Sequence, residues 1–289
     1  MPLPDYRHPW RFYVPATLVP WIAWFTAGWL SRQPESRGYI ALATLLGLAG
    51  LFFPMVLAGV MIVRQPQLLA DVRARIFGFH RGQRQYVWLA FGLMPASILL
   101  AQAVSLIFGY SPDQFYLSGH TSFTGGLVPG WFMLVLAPMV EELAWHSYGT
   151  DSLRQRLNLL NTSLLFGIFW AIWHAPLGGI RGYYHANTLQ QGWIYSANFA
   201  LSLIPFTLLM NWIYYKSGRS ITAAIVFHIS AGLANEALQT HPDSKIIQTF
   251  LLMIMSAILV YRDPEFFCAA NRSRDPHPSP YFRGDGRHG

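Results

Sequence analysis

From Tyr39 to Val63 the chain runs for twenty-five residues without a charged side chain, and that single run limits what it can fold into. An α-helix rises about 1.5 Å per residue, so the run is long enough to cross about 30 Å of hydrocarbon. Composition says the same of the rest of the chain. Only 11% of the residues are charged, while 53% are apolar and 16% aromatic, which leaves too little polar surface to wrap a water-soluble domain. Eight stretches have the length and character of spans: 12–31, 39–63, 86–108, 127–149, 161–180, 192–215, 221–238 and 246–261. The expected fold class is all-α, a polytopic membrane helix bundle of about eight transmembrane helices.

The charges test that count independently, because cytoplasmic loops collect Lys and Arg. With both termini cytoplasmic, sixteen of the twenty basic residues fall inside, and only Arg32, Arg37, Arg181 and Lys245 fall outside. The formal net charge of +7 therefore points to a lipid bilayer as partner and not to nucleic acid, since the arginines lie between apolar runs and form no single patch. Cys268 is the only cysteine, which excludes a disulfide framework and a Cys-based zinc site. The segment Leu68–Gln85 mixes apolar residues with Arg73, Arg75, His80, Arg81 and Arg84. It reads either as a solvated basic loop or as a helix lying on the cytoplasmic leaflet, arginines toward anionic headgroups. The stretch 262–289, rich in Pro, Arg, Asp and Gly, reads as a disordered cytoplasmic tail.

Ionisable groups at membrane depth cost about 2.5–3.5 kcal/mol each on insertion scales, so they mark functional sites by default. Three spans carry them: Glu141, Glu142 and His146 in the fourth, His174 in the fifth, His228 and Glu236 in the seventh. Adjacent helical residues differ by about 100° around the axis, so Glu141 and Glu142 cannot point at one spot. Glu142 and His146, four apart, share a face and can hydrogen-bond. Carboxylates and imidazoles on three helices offset their insertion cost best by converging, and a bundle interior that holds them with an admitted water is a general-base site or a metal site. Both chemistries point to hydrolysis.

These residues resemble a known family, the type II CAAX prenyl endopeptidase and bacteriocin-processing (abortive-infection) intramembrane proteases. Its signature is E-E-x-x-x-R, then F-x-x-x-H, then H-x-x-x-N on successive membrane segments. Glu141-Glu142 matches the first element, His174 the second and His228 the third, within residues 125–240. Three positions depart: His146 stands for the arginine, Trp170 for the phenylalanine and Gly232 for the asparagine. Asn235 lies about one turn beyond the vacated asparagine position, so it is no simple substitute, while Asn198 and Asn211 on the sixth span are other sources of an amide. The resemblance implies a division into N-terminal transmembrane helices with a basic cytoplasmic loop (1–124), a protease core (125–240), a last transmembrane helix (241–261) and the tail (262–289).

It also implies roles. Glu141 with His174 would activate a water, His228 would stabilise the oxyanion, and Glu142 would hold the arrangement from behind. The substrate would be a membrane-associated or CAAX-type peptide. A zinc-type hydrolase is the second chemistry, with His174, His228 and Glu141 as a His2Glu set that His146 can join. An arginine would repel a divalent cation where a histidine would not. A transporter or scaffold that uses the glutamates for proton or cation coupling is a third reading.

Overall fold

The computed structural model describes residues 6–34, 36–77, 84–123 and 126–269. Among these residues the chain is helical, and its extended pairing is confined to an isolated bridge between Leu117 and Leu238. Helices occupy each of the eight expected stretches: α1 (Pro9–Leu30), α2 (Arg37–Val63), α4 (Arg84–Leu106), α5 (Gly130–Ala144), α7 (Leu159–His174), α9 (Trp193–Lys216), α10 (Ile221–Ala237) and α11 (Pro242–Arg262). Four of them, α2, α4, α9 and α11, are individually long and apolar enough to cross a membrane. A fifth crossing results if Leu159–Gly179, which is α7 with the turn that follows it, and α8 (Tyr184–Gln191), bent by 83° across residues 180–183, count together. α10 is a shorter apolar helix. α5 is short on its own but continues through a π-helical turn (Trp145–Gly149) into α6 (Thr150–Arg154).

Local chemistry sets the helix ends. The side chains of Ser36, Asn158, Ser220 and Asp263 accept the backbone N–H three residues on, at 3.1, 2.8, 3.2 and 3.3 Å, which satisfies donors that the first helical turn leaves orphaned. Pro9, Pro242 and Pro264 stand at first-turn positions where no N–H is needed. Large apolar side chains such as Ile22, Leu45, Trp88, Phe91, Ile168 and Ile254 project outward, more than half exposed. A soluble domain would not leave so much apolar surface uncovered; a bundle bathed in lipid does.

Inside, small residues let helices approach closely. Gly167 of α7 faces Leu203 and Thr207 of α9, where an added Cβ would lie 3.1 Å from the Leu203 carbonyl, and Thr207 Oγ1 donates to the Ser163 carbonyl at 3.0 Å. An aromatic seam ties α1 to the protease-like half, with Trp24 and Trp173 edge to face at 4.5 Å and Trp145 and Trp173 at 5.2 Å.

The segment after α2 forms a helix, α3 (Pro66–Phe77). Its Arg75 is buried, however, and turned into the protein instead of toward headgroups. Its guanidinium donates to the carbonyls of His146 and Ser147 at 2.8 and 3.1 Å, to Asp151 at 3.0 Å, and to the hydroxyls of Tyr6 and Tyr214, and it pairs with Asp71 at 2.8 Å. Arg219 joins the cluster through Asp71 at 3.0 Å and Asp151 at 2.6 Å. These contacts hold Arg219 at φ 66, a left-handed backbone conformation uncommon for a residue with a Cβ. A lone buried arginine would be prohibitive in a membrane protein. Two arginines facing two aspartates are neutral as a unit.

The expected tail begins with a short helix, α12 (Pro264–Cys268), whose Phe267 is buried against Leu159 and Leu208 while Cys268 is exposed. Lys216 binds Asp263 at 2.7 Å and lies over the Phe266 ring at 4.0 Å. Residues 270–289, for which disorder is expected, lie outside the described residues.

Candidate active site

α5 carries Glu141 about 16 Å along its axis from Gly130, roughly half the depth of a bilayer. It arrives there beside α7 and α10, and Trp170 is the joint between them. The indole Nε1 of Trp170 donates to Glu141 Oε2 at 2.9 Å. The Trp170 ring lies 5.6 Å from the His174 ring and 5.1 Å from the His228 ring, centroid to centroid. Glu141, His174 and His228 all line one cavity of about 720 Å³, together with Trp170. A phenylalanine at position 170 would pack but could not donate. The tryptophan that departs from the motif is the nearer donor to the Glu141 carboxylate, and Trp145 Nε1 is a second, at 3.5 Å from the same oxygen.

Hydrogen bonds fix which ring nitrogen is available on each histidine. His174 Nδ1 lies 2.7 Å from the Trp170 carbonyl, an oxygen that can only accept, so the proton of the neutral ring sits on Nδ1 and the lone pair on Nε2. His228 Nδ1 meets Glu142 Oε1 at 2.8 Å, which leaves its Nε2 for other contacts. Glu142 does not line the cavity. It is fully buried behind it, with one carboxylate oxygen on His228 and the other on His146 Nδ1. The adjacent glutamates therefore point to different places, one into the cavity and one into the packing. His146 sits in the π-turn, and its Nε2 faces Asn211 Oδ1 at 3.0 Å.

The three sources of an amide separate. Asn211 is buried between His146 and Ser163 and is no part of the cavity wall. Asn198 lines the cavity, and so does Asn235, whose amide donates to Glu236 Oε1 at 3.2 Å. Gly232 also lines the wall, and a Cβ there would meet only Leu134, at 3.6 Å and beyond. The vacated asparagine position can take a Cβ in ordinary van der Waals contact.

Two features escape a reading of spans. His185 lies on α8, in the connection between the fifth and sixth spans, and its ring stacks on His174 at 5.1 Å and 25°. Both of its ring nitrogens are shielded and lack a hydrogen-bond partner within the described residues. Its one sequence signal is position, in an aromatic Tyr183-Tyr184-His185 run just past His174. The second feature is Glu236, which accepts from the Ser122 N–H at 2.5 Å and its hydroxyl at 3.1 Å. It holds the 118–123 strap against the cavity.

Among the described residues, no three His, Cys, Asp or Glu side chains are arranged to hold one metal ion. Glu141, His174 and His228, the His2Glu set of the zinc chemistry, line the same cavity without forming such a group.

Helices at the eight expected stretches around a Glu–His cavity define a helical protein of membrane character, and comparison with known proteins gives the family. Residues 123–234 match the family described as type II CAAX prenyl endopeptidase Rce1-like. Over 262 residues the chain is 36% identical to CAAX prenyl protease 2 of Methanococcus maripaludis, an alignment covering 90% of this chain and 96% of that protein. The chain belongs to the Rce1-like CAAX prenyl endopeptidase family, and is an integral membrane protein of that family.

Proposed function

We propose that this protein is an intramembrane endopeptidase whose water-activating pair is Glu141 and His174. The arrangement around Trp170 carries the reading: one indole binds the Glu141 carboxylate while the two histidine rings pack against it. A water held between Glu141 and His174 Nε2 gives up a proton as it attacks the scissile carbonyl, which requires a base within about 2.6–3.2 Å of that water. His228, held by Glu142 through Nδ1–H, acts as an imidazolium whose second hydrogen, on Nε2, is directed at the developing oxyanion. Collapse of the tetrahedral intermediate returns the proton to the leaving amine.

The substrate class follows from the relative, whose name is that of a CAAX prenyl protease: a membrane-associated protein with a lipidated cysteine near its carboxy terminus. Topology bears on this. The outer cavity wall includes Ser118 and His120 of the α4–α5 connection, Gln239 of the α10–α11 connection and Lys245 in the first turn of α11. The arginine-rich connections lie at the other end of the bundle, with α3 and Tyr6. Eight crossings with both termini cytoplasmic would therefore aim the cavity mouth away from the cytoplasm, and a cytoplasmic CAAX substrate requires the reverse orientation. Labelling of a cysteine introduced at position 120 by a membrane-impermeant reagent, on intact cells and then on inverted vesicles, separates the two.

Activity is tested on detergent-purified protein with fluorogenic peptides, with and without a farnesylated cysteine. Cleavage that requires the lipid and persists in a chelator supports the glutamate mechanism on a CAAX-type substrate. Loss of cleavage in chelator with recovery on zinc would replace it with a metallopeptidase, and no cleavage of any peptide would move the protein to a transport or scaffold role.

A further inference from the structure

The proton count of the Glu142–His146 pair can be read from its neighbours. Ser163 Oγ donates to the Leu159 carbonyl at 2.9 Å, so its single hydrogen is used. The Asn211 amide lies 3.0 Å from that same Oγ, and only its NH₂ end can donate there. This orientation turns Asn211 Oδ1 toward His146 Nε2, 3.0 Å away. An amide oxygen only accepts, so Nε2 carries a hydrogen. On the other side of the ring, Nδ1 faces Glu142 Oε2. A neutral imidazole protonated on Nε2 would bring a bare lone pair against a carboxylate oxygen. One further proton therefore resides in this contact, on the imidazole nitrogen, which makes His146 the cation and Glu142 the anion, and the pair is neutral as a unit.

We infer that His146, at the position where the family motif has an arginine, is a positioning residue that supplies through this proton the charge compensation for Glu142; the inference rests on the protease reading for its catalytic consequence. The groups around His146 suit that role. Tyr214 of α9 packs edge-on at 4.6 Å and Phe166 of α7 at 6.5 Å. Arg75 of α3 and the Tyr214 hydroxyl bind the His146 backbone carbonyl, not its ring, at 2.8 and 3.1 Å. Asp151 is occupied by Arg75, Arg219 and Tyr214, and His228 of α10 lies across Glu142. Glu142 is thus the only carboxylate bonded to the ring among the described residues. Its second oxygen orients His228, so the state of His146 is passed to the oxyanion donor without His146 touching substrate.

The first test needs no turnover. In protein labelled with ¹⁵N-histidine, the His146 signals, assigned by their loss in His146→Gln, show both nitrogens bearing hydrogen at neutral pH, in wild type and in catalytically dead Glu141→Gln alike. A singly protonated neutral ring overturns the inference whether or not the protein is a protease. The second test is kinetic. His146→Gln, neutral but able to hydrogen-bond, loses roughly tenfold to a hundredfold in kcat with KM little changed, and His146→Arg recovers most of that loss. Gln equal to wild type, or Arg no better than Gln at equal thermal stability, overturns it. Failure of every variant and of wild type to cleave peptides would sink the protease reading, while the nuclear resonance result still decides the proton.

Discussion

Two polar clusters lie inside this apolar bundle, and they differ in how their hydrogen-bonding capacity is used. At the end near α3, Asp71, Arg75, Asp151 and Arg219 saturate one another with the help of Tyr6, Tyr214 and Tyr215. Around the cavity, His174 and His228 each commit one nitrogen and keep the other, and His185 commits neither. The first cluster locks α3, α6 and α9 together. The second borders a cavity of about 720 Å³, and the first lines none of it.

The largest effect that would break this contrast lies in the saturated cluster. Asp151→Ala leaves Asp71 to share the buried Arg75 and the half-buried Arg219, and removal of one partner of a buried pair costs about 3–5 kcal/mol. Thermal unfolding in detergent should show a large loss of stability, while the specific activity of the molecules still folded changes little. Loss of turnover at unchanged stability would instead place the cluster in the reaction.

Much of this was legible beforehand, for physical reasons that vary by residue. The spans follow from hydrocarbon thickness, which is why helices stand at every expected stretch. Glu141, Glu142, His174 and His228 stood out because charge is costly in lipid. Arg75 misled because a cationic segment beside a membrane ordinarily faces headgroups; its inward turn depends on Asp151 and Tyr214, remote in sequence, although Asp71 one turn before it was a local hint. The donor role of Trp170 was hidden because an aromatic substitution looks conservative until its N–H finds a carboxylate. His185 lay outside any span and carried no motif.

The cavity's open wall offers the next effect in size, a gain. Gly232→Asn would place an amide where the wall has room, and one oxyanion donor is worth about 10²–10³ in turnover. A rise of about a hundredfold in kcat is expected, with KM nearly constant. No change would mean that Asn198 or another group already serves.

The smallest effect is at the surface. The Lys216 ammonium holds the Asp263 carboxyl below the usual carboxylate range. Its contribution is therefore present above a pH of about 4, the unfolded value, and is lost as pH falls through the lower folded one. Asp263→Asn should cost no more than about 1 kcal/mol, seen as a slight loosening of α12 in hydrogen exchange, with catalysis unaffected.

The most direct measurement is the cleavage rate of purified Glu141→Gln and His174→Ala beside wild type, with thermal unfolding recorded on the same samples. Loss of at least about 10³-fold in both, at melting temperatures close to wild type, is the expected result. Cleavage within tenfold of wild type in either variant would contradict a water activated between these two side chains.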